Sequence, residues 1–480
     1  MNNATMPSDK PSRKTKIIAT IGPVTSSKEQ LEKLAAAGMS VVRINMSHAT
    51  HKSAKEIIDN VRKINEEKDS NIAILLDTQG SEIRTSKITE DVNLKEGDKL
   101  RISVGSAKEI GGEGVIQTSV NYENLIHDVK VGDFILIDDG LIRAEITDIS
   151  NNQITCRVEN AGVLGSRKAI NLPGVHINTP TLTKKDLVDV DFGIKHDVDF
   201  IAMSFVRSKD DVVQLRKHLK ERKAHARIIS KIEDIEGIKN INEIIEASSG
   251  IMIARGDLGV EIPLEDVPIV QRSITKKCIK HAKPVIVATH LLESMVHHPR
   301  PTRAEVTDVA NAVFEGADCL MLSAETTKGK YPIASVETMV RIALRVERET
   351  VPNLETNGKV KSVKHEITRD ACISAESLCA KAILVFTNTG KLSRLVSKNR
   401  PTAPIYSFVP DEGVRRKSAV IWGVTPFVSN YENTIEEMTE DAMKLLKEKG
   451  LLRRGDLIVA VSDISPVKED VDVMEVRRVT

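Results

Sequence analysis

Short runs of β-branched and aliphatic residues recur along the chain, most of them followed by roughly 15–20 residues with apolar positions at helical spacing. The runs are Ile17–Ile21, Val41–Asn45, Ile72–Asp77, Phe200–Ser204, Ile228–Lys231, Ile251–Ala254, Val285–Thr289 and Cys319–Ser323. They are apolar throughout rather than alternating, as strands buried on both faces must be, which is the signature of a parallel sheet built from βα units. The first helix carries its own punctuation. Ser26 and Glu29 read as a capping box, Leu31, Leu34 and Ala35 form the apolar face, and Gly38 marks the stop. Strand and helix in regular alternation predict an α/β fold, and eight such strands fit a closed (β/α)8 TIM barrel better than an open sheet.

One interval breaks the rhythm. From Glu82 to Thr179 the helical spacing disappears, and strand-like pieces at Val92–Leu94, Lys99–Val104, Phe134–Ile137, Leu141–Ile146 and Gln153–Val158 are separated by Gly, Asn and Asp turns. An inserted all-β lid domain is expected, beside the face of the barrel where strands end. Tyr331 to Glu349 reads as the closing helix, and the polar stretch Pro352 to Lys364 as a linker. Beyond it, apolar strands at Ala382–Phe386, Ile405–Phe408 and Leu457–Val461 predict a smaller C-terminal α/β domain. The expected division is a polar arm at 1–13, the barrel at 14–81 and 180–350, a β-barrel lid at 82–179, and the last domain at 351–480.

Composition narrows the class. With 480 residues, 40% hydrophobic and 29% charged, the chain is too long for one core and ordinary for a globular protein. A net charge of +1 gives no field to draw it to nucleic acid or an acidic membrane. Arg415-Arg416-Lys417 reads as solvated surface. No apolar stretch approaches a membrane span, and the polar start has no secretory pattern. Five scattered cysteines without a Cys-x-x-Cys pair suggest buried thiols and a cytoplasmic protein.

Barrel enzymes carry their working groups where strands end. Here those ends hold Arg43, Asn45, Ser47 and His48; Asp77, Thr78, Gln79, Glu82 and Arg84; Lys231 and Glu233; Ala254, Arg255, Gly256 and Asp257; Thr289; and Ser323. Singly, each is better explained as a strand-end cap or ion pair. Together they predict a mouth for an anionic substrate and a hard divalent metal. Glu233 and Asp257, with no His or Cys beside them, suit Mg2+ or Mn2+ rather than zinc. Lys231, two residues before Glu233, can face the same way and neutralise a transferring phosphoryl, and Arg43 is a candidate phosphate fork. Gly256-Asp257-Leu258-Gly259 fits either an anion-binding helix start or a plain βα turn. The Rossmann, Walker A, serine-elbow and zincin signatures are absent.

The ordered strings from Thr15 to Pro23, Arg43 to His48, Ser230 to Glu233, Ala254 to Gly259, Leu292 to Met295, Pro301 to Glu305 and Asp308 to Ala312 resemble the pyruvate kinase family. The resemblance runs from Lys14 to Gly455. It implies phosphoryl transfer from phosphoenolpyruvate to ADP, giving pyruvate and ATP, with Glu233 and Asp257 as Mg2+ ligands. It further implies Lys231 and Arg43 on the phosphoryl, and Thr289 with the backbone of Ala254 to Asp257 on the substrate carboxylate. Proton delivery near Thr289 and Ser323 completes the reaction. Asn45, Ser47, Asp77 and Thr78 match a K+ site, Glu82 matches potassium-dependent members, and His48, Arg84 and Lys185 match groups around the nucleotide phosphates. A homotetramer is the family's usual assembly.

The chain departs from the family pattern at Gln79, Ser81, His290 and Ala324; Gln79 removes a positive charge near the cation site. Two other readings follow: a weakly active regulatory subunit of a hetero-oligomer, and a different metal-dependent barrel such as a lyase. A sugar-phosphate effector is expected at Thr387, Asn388, Thr389, Gly390 and Ser393, although the stretch Ser462 to Val471 lacks the glycines of the family's closing loop.

Overall fold

The computed structural model describes residues 13–88, 90–104, 111–112, 115–150, 152–175, 177, 179–349, 362–429, 434–464 and 472–480. The N-terminal arm up to residue 12, most of the linker and residues 465–471 of the expected effector-closing stretch lie outside them.

Eight parallel strands close into a barrel in sequence order: β1 (Lys16–Thr20), β2 (Val41–Asn45), β3 (Ala73–Asp77), β4 (Phe200–Met203), β5 (Arg227–Ile232), β6 (Gly250–Ala254), β7 (Val285–Ala288) and β8 (Cys319–Leu322). Alternation divides each strand between two apolar environments. Ile18, Leu75, Phe200, Ile229, Met252, Ile286 and Met321 point into the barrel. Ile17, Val42, Ile74, Ile201, Ile228, Ile251, Val287 and Leu320 meet the surrounding helices. Each such fully buried side chain contributes about 1.5–3 kcal/mol, which is why the strands tolerate so few polar residues before their ends.

The first helix, Lys28–Ala37, is capped by Ser27, whose side chain accepts from the Gln30 N–H. This corrects the Ser26 and Glu29 capping box by one residue; only the hydroxyl at the extended position can reach the third N–H inward. Gly38 ends the helix at φ 116 as expected.

The insertion follows β3. Its eight-stranded sheet runs Ile83–Arg84, Ala169–Asn171, Phe134–Ile137, Ile142–Ser150, Gln153–Val158, Lys99–Val104, Val115–Val120 and Gly111–Gly112. The sheet curls until Thr85 bridges Val120 near the opposite edge. Ile83–Arg84, Val115–Val120, Gly162–Leu164, Ala169–Asn171 and the one-turn helix Leu125–Asp128 are additions to the sequence expectation.

The C-terminal sheet has the order Val424–Val428, Ile405–Val409, Ala382–Phe386, Leu457–Ser462, Val473–Arg478, its last strand antiparallel. The first and last of these also escaped the sequence reading. The domain meets the barrel at the floor, opposite the mouth. Ala419 and Val420 join the barrel's interior cluster from below, and Asp318, just before β8, accepts from the Trp422 N–H at 3.2 Å. Among the described residues no helix is long and apolar enough to cross a membrane.

Candidate active site

The strand ends converge as charged pairs. Arg43 in β2 donates from Nε to Asp77 Oδ2 at 2.6 Å and from Nη1 to Thr20 Oγ1 at 3.0 Å. The register places Asn45 directly beside Asp77. Lys231, next to last in β5, donates from Nζ to Ser204 Oγ at 2.8 Å; the same nitrogen lies 2.8 Å from Glu233 Oε1 and 3.4 Å from Asp77 Oδ1. Glu233 Oε2 accepts from the Phe205 N–H at 2.6 Å. Asp257 sits in the first turn of the helix Arg255–Glu261, just past β6, with its carboxyl beside that of Glu233.

Two cations, Arg43 and Lys231, thus face three carboxylates, Asp77, Glu233 and Asp257. Burial alone would lower the Lys231 ammonium, but Asp77, Glu233 and Asp257 together hold it above its ordinary value. Burial pushes the Glu233 carboxyl up, and Asp257 adds to the rise against the pull of Lys231. Asp257 is raised for the same first reason, with Glu82 and Asp139 pushing further and Lys231 opposing. Carboxyls held high in this way favour either a retained proton or a bound cation. Their donor set fits a hard divalent ion: two carboxylates, with the remaining positions left for substrate oxygens and water. Among the described residues no three His, Cys, Asp or Glu side chains form a closed metal cage.

The corner between β2 and β3 is rich in oxygens. Asn45 Oδ1 accepts from the Ser47 N–H at 3.1 Å, and Thr78 Oγ1 from the Ser204 N–H at 3.2 Å. Asp77 Oδ1 is buried and, apart from its 3.4 Å ion pair with Lys231, has no hydrogen-bond partner among the described residues. Such a set fits a weakly hydrated monovalent cation. Around it, His48 is exposed. Arg84 donates to Glu82 Oε2 at 2.7 Å and to the Arg167 carbonyl at 2.9 Å. Lys185 donates to the Met46 carbonyl at 2.8 Å and to Asp189 Oδ2 at 2.7 Å, which ties it to the rim.

Two contacts shape the end of β6. The Arg255 side chain turns away from the cluster into a bidentate pair with Asp308 at 2.7 and 2.8 Å and donates to the Thr289 carbonyl at 2.7 Å. A guanidinium with a matching carboxylate in reach takes that fork; the role expected of residue 255 is its backbone's, which this pair leaves untouched. The Gly256 N–H, in the turn read as either an anion-binding helix start or a plain βα turn, donates to Thr289 Oγ1 at 2.7 Å, and that hydroxyl donates to the Ala288 carbonyl at 2.6 Å. Thr289 adopts φ 68 to do so. Ser323 Oγ is buried without a hydrogen-bond partner.

Sequence reasoning missed Ser204 and the Phe205 N–H, which orient Lys231 and Glu233. They end a run identified as a strand, and that position was their only signal. It also missed Asp139 at the lid's Asp138-Asp139-Gly140 turn, whose carboxylate bears on Asp257 although nearly 120 residues separate them. Gly140 packs there, its would-be Cβ 3.7 Å from Val260.

In the C-terminal domain, Thr387 is buried with its hydroxyl beside the Asp463 carboxyl, and Ser393 Oγ lies 2.7 Å from Ser407 Oγ. Gly390 has φ 71, and the Thr389 carbonyl accepts from Arg227 Nη2 at 2.6 Å. Asn388 and Thr389 stay exposed.

The family model described as pyruvate kinase, barrel domain, matches residues 12–336, and that described as pyruvate kinase, alpha/beta domain, matches residues 365–477. The chain is 43% identical over 460 residues to pyruvate kinases of Staphylococcus aureus (strain MRSA252) and Staphylococcus epidermidis, covering 94% of itself and 78% of each. Its fold is similar to that of a Cryptosporidium parvum pyruvate kinase, with a TM-score of 0.91 and 37% identity over 98% of this chain and 96% of that one.

Proposed function

The chain belongs to the pyruvate kinase family, and on that premise we propose that its barrel mouth transfers the phosphoryl group of phosphoenolpyruvate to ADP. The observation that carries the reading is the buried cluster of Lys231 and Arg43 with Asp77, Glu233 and Asp257. Glu233 and Asp257 would hold Mg2+ or Mn2+, and Asn45, Ser47, Asp77 and Thr78 would hold K+. Bound there, the divalent ion supplies Lewis-acid neutralisation of phosphoryl charge.

The protein's own groups do the rest. Lys231 Nζ, kept charged by three carboxylates, sits where it can stabilise the negative charge of the moving phosphoryl. Arg43, locked on Asp77, presents its remaining N–H groups to the same charge. Thr289 takes the Gly256 N–H and so fixes the turn whose backbone, Ala254 to Asp257, would meet the substrate carboxylate. Once the phosphoryl has left, the enolate carbon takes one proton to become pyruvate. Ser323 Oγ, a buried hydroxyl without a partner, supports a relay there together with Thr289. His48, Arg84 and Lys185 support the nucleotide phosphates at the rim, under the lid.

The catalytic reading is favoured over the regulatory-subunit one because the phosphoryl and metal residues are intact; nothing in the geometry supports the latter or a lyase. Support for an effector phosphate at Thr387, Asn388, Thr389, Gly390 and Ser393 is limited to the exposed Asn388 and Thr389. A homotetramer rests on the family resemblance alone, and a cytoplasmic location on that together with five cysteines that are all free thiols.

The test is pyruvate formation by the purified chain from phosphoenolpyruvate and ADP. Turnover that needs both Mg2+ and K+ is expected. No pyruvate with all four present would overturn the reading.

A further inference from the structure

At the barrel floor the charge balance of the mouth is reversed. A cleft between the barrel and the C-terminal domain is lined by Ile279, Ala282, Lys283, Pro284 and Asp318 from one side and by Arg394, Ser397, Lys398, Arg400 and Ile421 from the other. It holds about 190 Å³ of empty space, part of it open to solvent. Four of its ten lining residues are cations and one is an acid. That acid is already engaged, since Asp318 accepts from the Val285 N–H at 3.0 Å and the Trp422 N–H at 3.2 Å and pairs with Arg400 at 3.2 Å.

Arg394 has no carboxylate partner among the described residues, where its one hydrogen bond is a long one, 3.4 Å, to the Gly390 carbonyl. Lys283 donates only to carbonyls, those of Glu246 at 3.2 Å and Ser248. Arg227, from β5, lies outside the lining but near enough to feel Arg394, and it too donates only to carbonyls among the described residues, those of Lys417 at 3.2 Å and Thr389 at 2.6 Å. Burial lowers Arg394, Arg227 and Lys283 alike, and Arg394 lowers the other two further by repulsion. Buried charges are ordinarily paired. Among the described residues, these three have carbonyl partners but no carboxylate.

We propose that this interdomain cleft is an oxyanion site that seats one phosphoryl-type group between Lys283 and Arg394, with Arg227, Lys398 and Arg400 around it. A tetrahedral oxyanion offers each of these donors an acceptor and cancels their mutual repulsion, so its binding tightens the contact between barrel and C-terminal domain. The cleft is narrow and open to solvent, so anything the phosphoryl group belongs to must extend outward. Free phosphate and the phosphate of a sugar or nucleotide share this chemistry.

The experiment compares three full-length proteins by thermal shift and calorimetry: the wild type, Lys283→Gln/Arg394→Gln, and Arg43→Gln. The probes are inorganic phosphate and glucose 6-phosphate, titrated against sodium chloride of matched ionic strength. Both the wild type and the mouth variant should be stabilised by at least one of the two probes, and the double variant should bind that probe at least tenfold more weakly. Without probe, the double variant should melt no lower than the wild type, because a like-charge repulsion has been removed; this separates lost binding from misfolding. Binding of phosphate alone identifies the free ion as occupant, and binding of the sugar phosphate alone identifies an organic phosphate. Equal binding by wild type and double variant, or stabilisation abolished by Arg43→Gln, overturns the proposal.

Discussion

At its C-terminal end, strand Arg227–Ile232 delivers Lys231 into a ring of three carboxylates; at its N-terminal end it delivers Arg227 into a group of cations. The two ends lie only four residues apart on the same buried strand. At the mouth, negative charge exceeds positive, so acids rise and a lysine is held charged. At the floor, positive charge exceeds negative, and a lysine and two arginines fall. Neither excess is relieved among the described residues. The difference separates what a fold builds for stability from what it leaves for a ligand. The apolar strand interior is complete in itself, while both ends stay electrostatically unfinished in opposite directions.

The strongest way to break the comparison is at Lys231. Changing it to methionine removes the one ammonium at the phosphoryl position. Turnover should fall by about 10²–10³, the usual cost of a preorganised transition-state charge, with the circular dichroism spectrum unchanged. Activity above about a tenth of wild type would show that the ring of carboxylates serves something other than phosphoryl transfer.

Next comes the metal. Asp257→Asn keeps shape and hydrogen bonding but removes one of two hard donors, so Mn2+ affinity measured by calorimetry should drop at least about tenfold. An unchanged affinity would move the divalent site away from the Glu233 and Asp257 pair.

A third test uses pH, where the two ends of the strand carry opposite signs. Glu233 is raised to about 8 and Asp257 is raised with it. The folded, metal-free protein therefore holds protons that the unfolded chain has released. That contribution to stability is present at low pH and is lost as pH climbs through the raised folded value. Lys283, lowered to about 8, acts the other way: the folded protein sheds its proton first, so stability is gained from there up towards the ordinary lysine range near 10.5. Melting temperatures of metal-free protein from pH 6 to 9 should decline more steeply for wild type than for Asp257→Asn, while Lys283→Gln should remove a gain above pH 8. Parallel profiles for all three proteins would mean that neither end governs stability in this range.

The barrel was legible because its signal is local. Each strand is buried on both faces, so Val41–Asn45 and Ile251–Ala254 read as apolar runs whatever their neighbours. The lid and the last sheet were harder. Ile83–Arg84 and Ala169–Asn171 are too short to show periodicity and exist because they pair with each other. Val424–Val428 contains a proline, and Val473–Arg478 is a charged edge strand, so composition argued against both. The site followed the same rule. Arg43, Lys231 and Glu233 follow from position at strand ends, but the diversion of Arg255 depends on Asp308, 53 residues away. The floor cluster joins residues 227, 283 and 394 from three segments, none of which is unusual alone.

The smallest effect sharpens the comparison at the lid's hinge. Gln79 stands where the family commonly has lysine, and its side chain makes only a long contact, 3.4 Å, to Glu82 Oε2, which Arg84 already holds at 2.7 Å. Gln79→Lys would return one positive charge to the rim, outside the buried ring. A partly exposed charge is screened and worth at most about 1 kcal/mol, so the KM for ADP should fall by no more than about fivefold, with kcat unchanged. If kcat instead moved by an order of magnitude, position 79 would belong to the environment of the transferring phosphoryl, and the carboxylate excess at the mouth would extend out to the hinge.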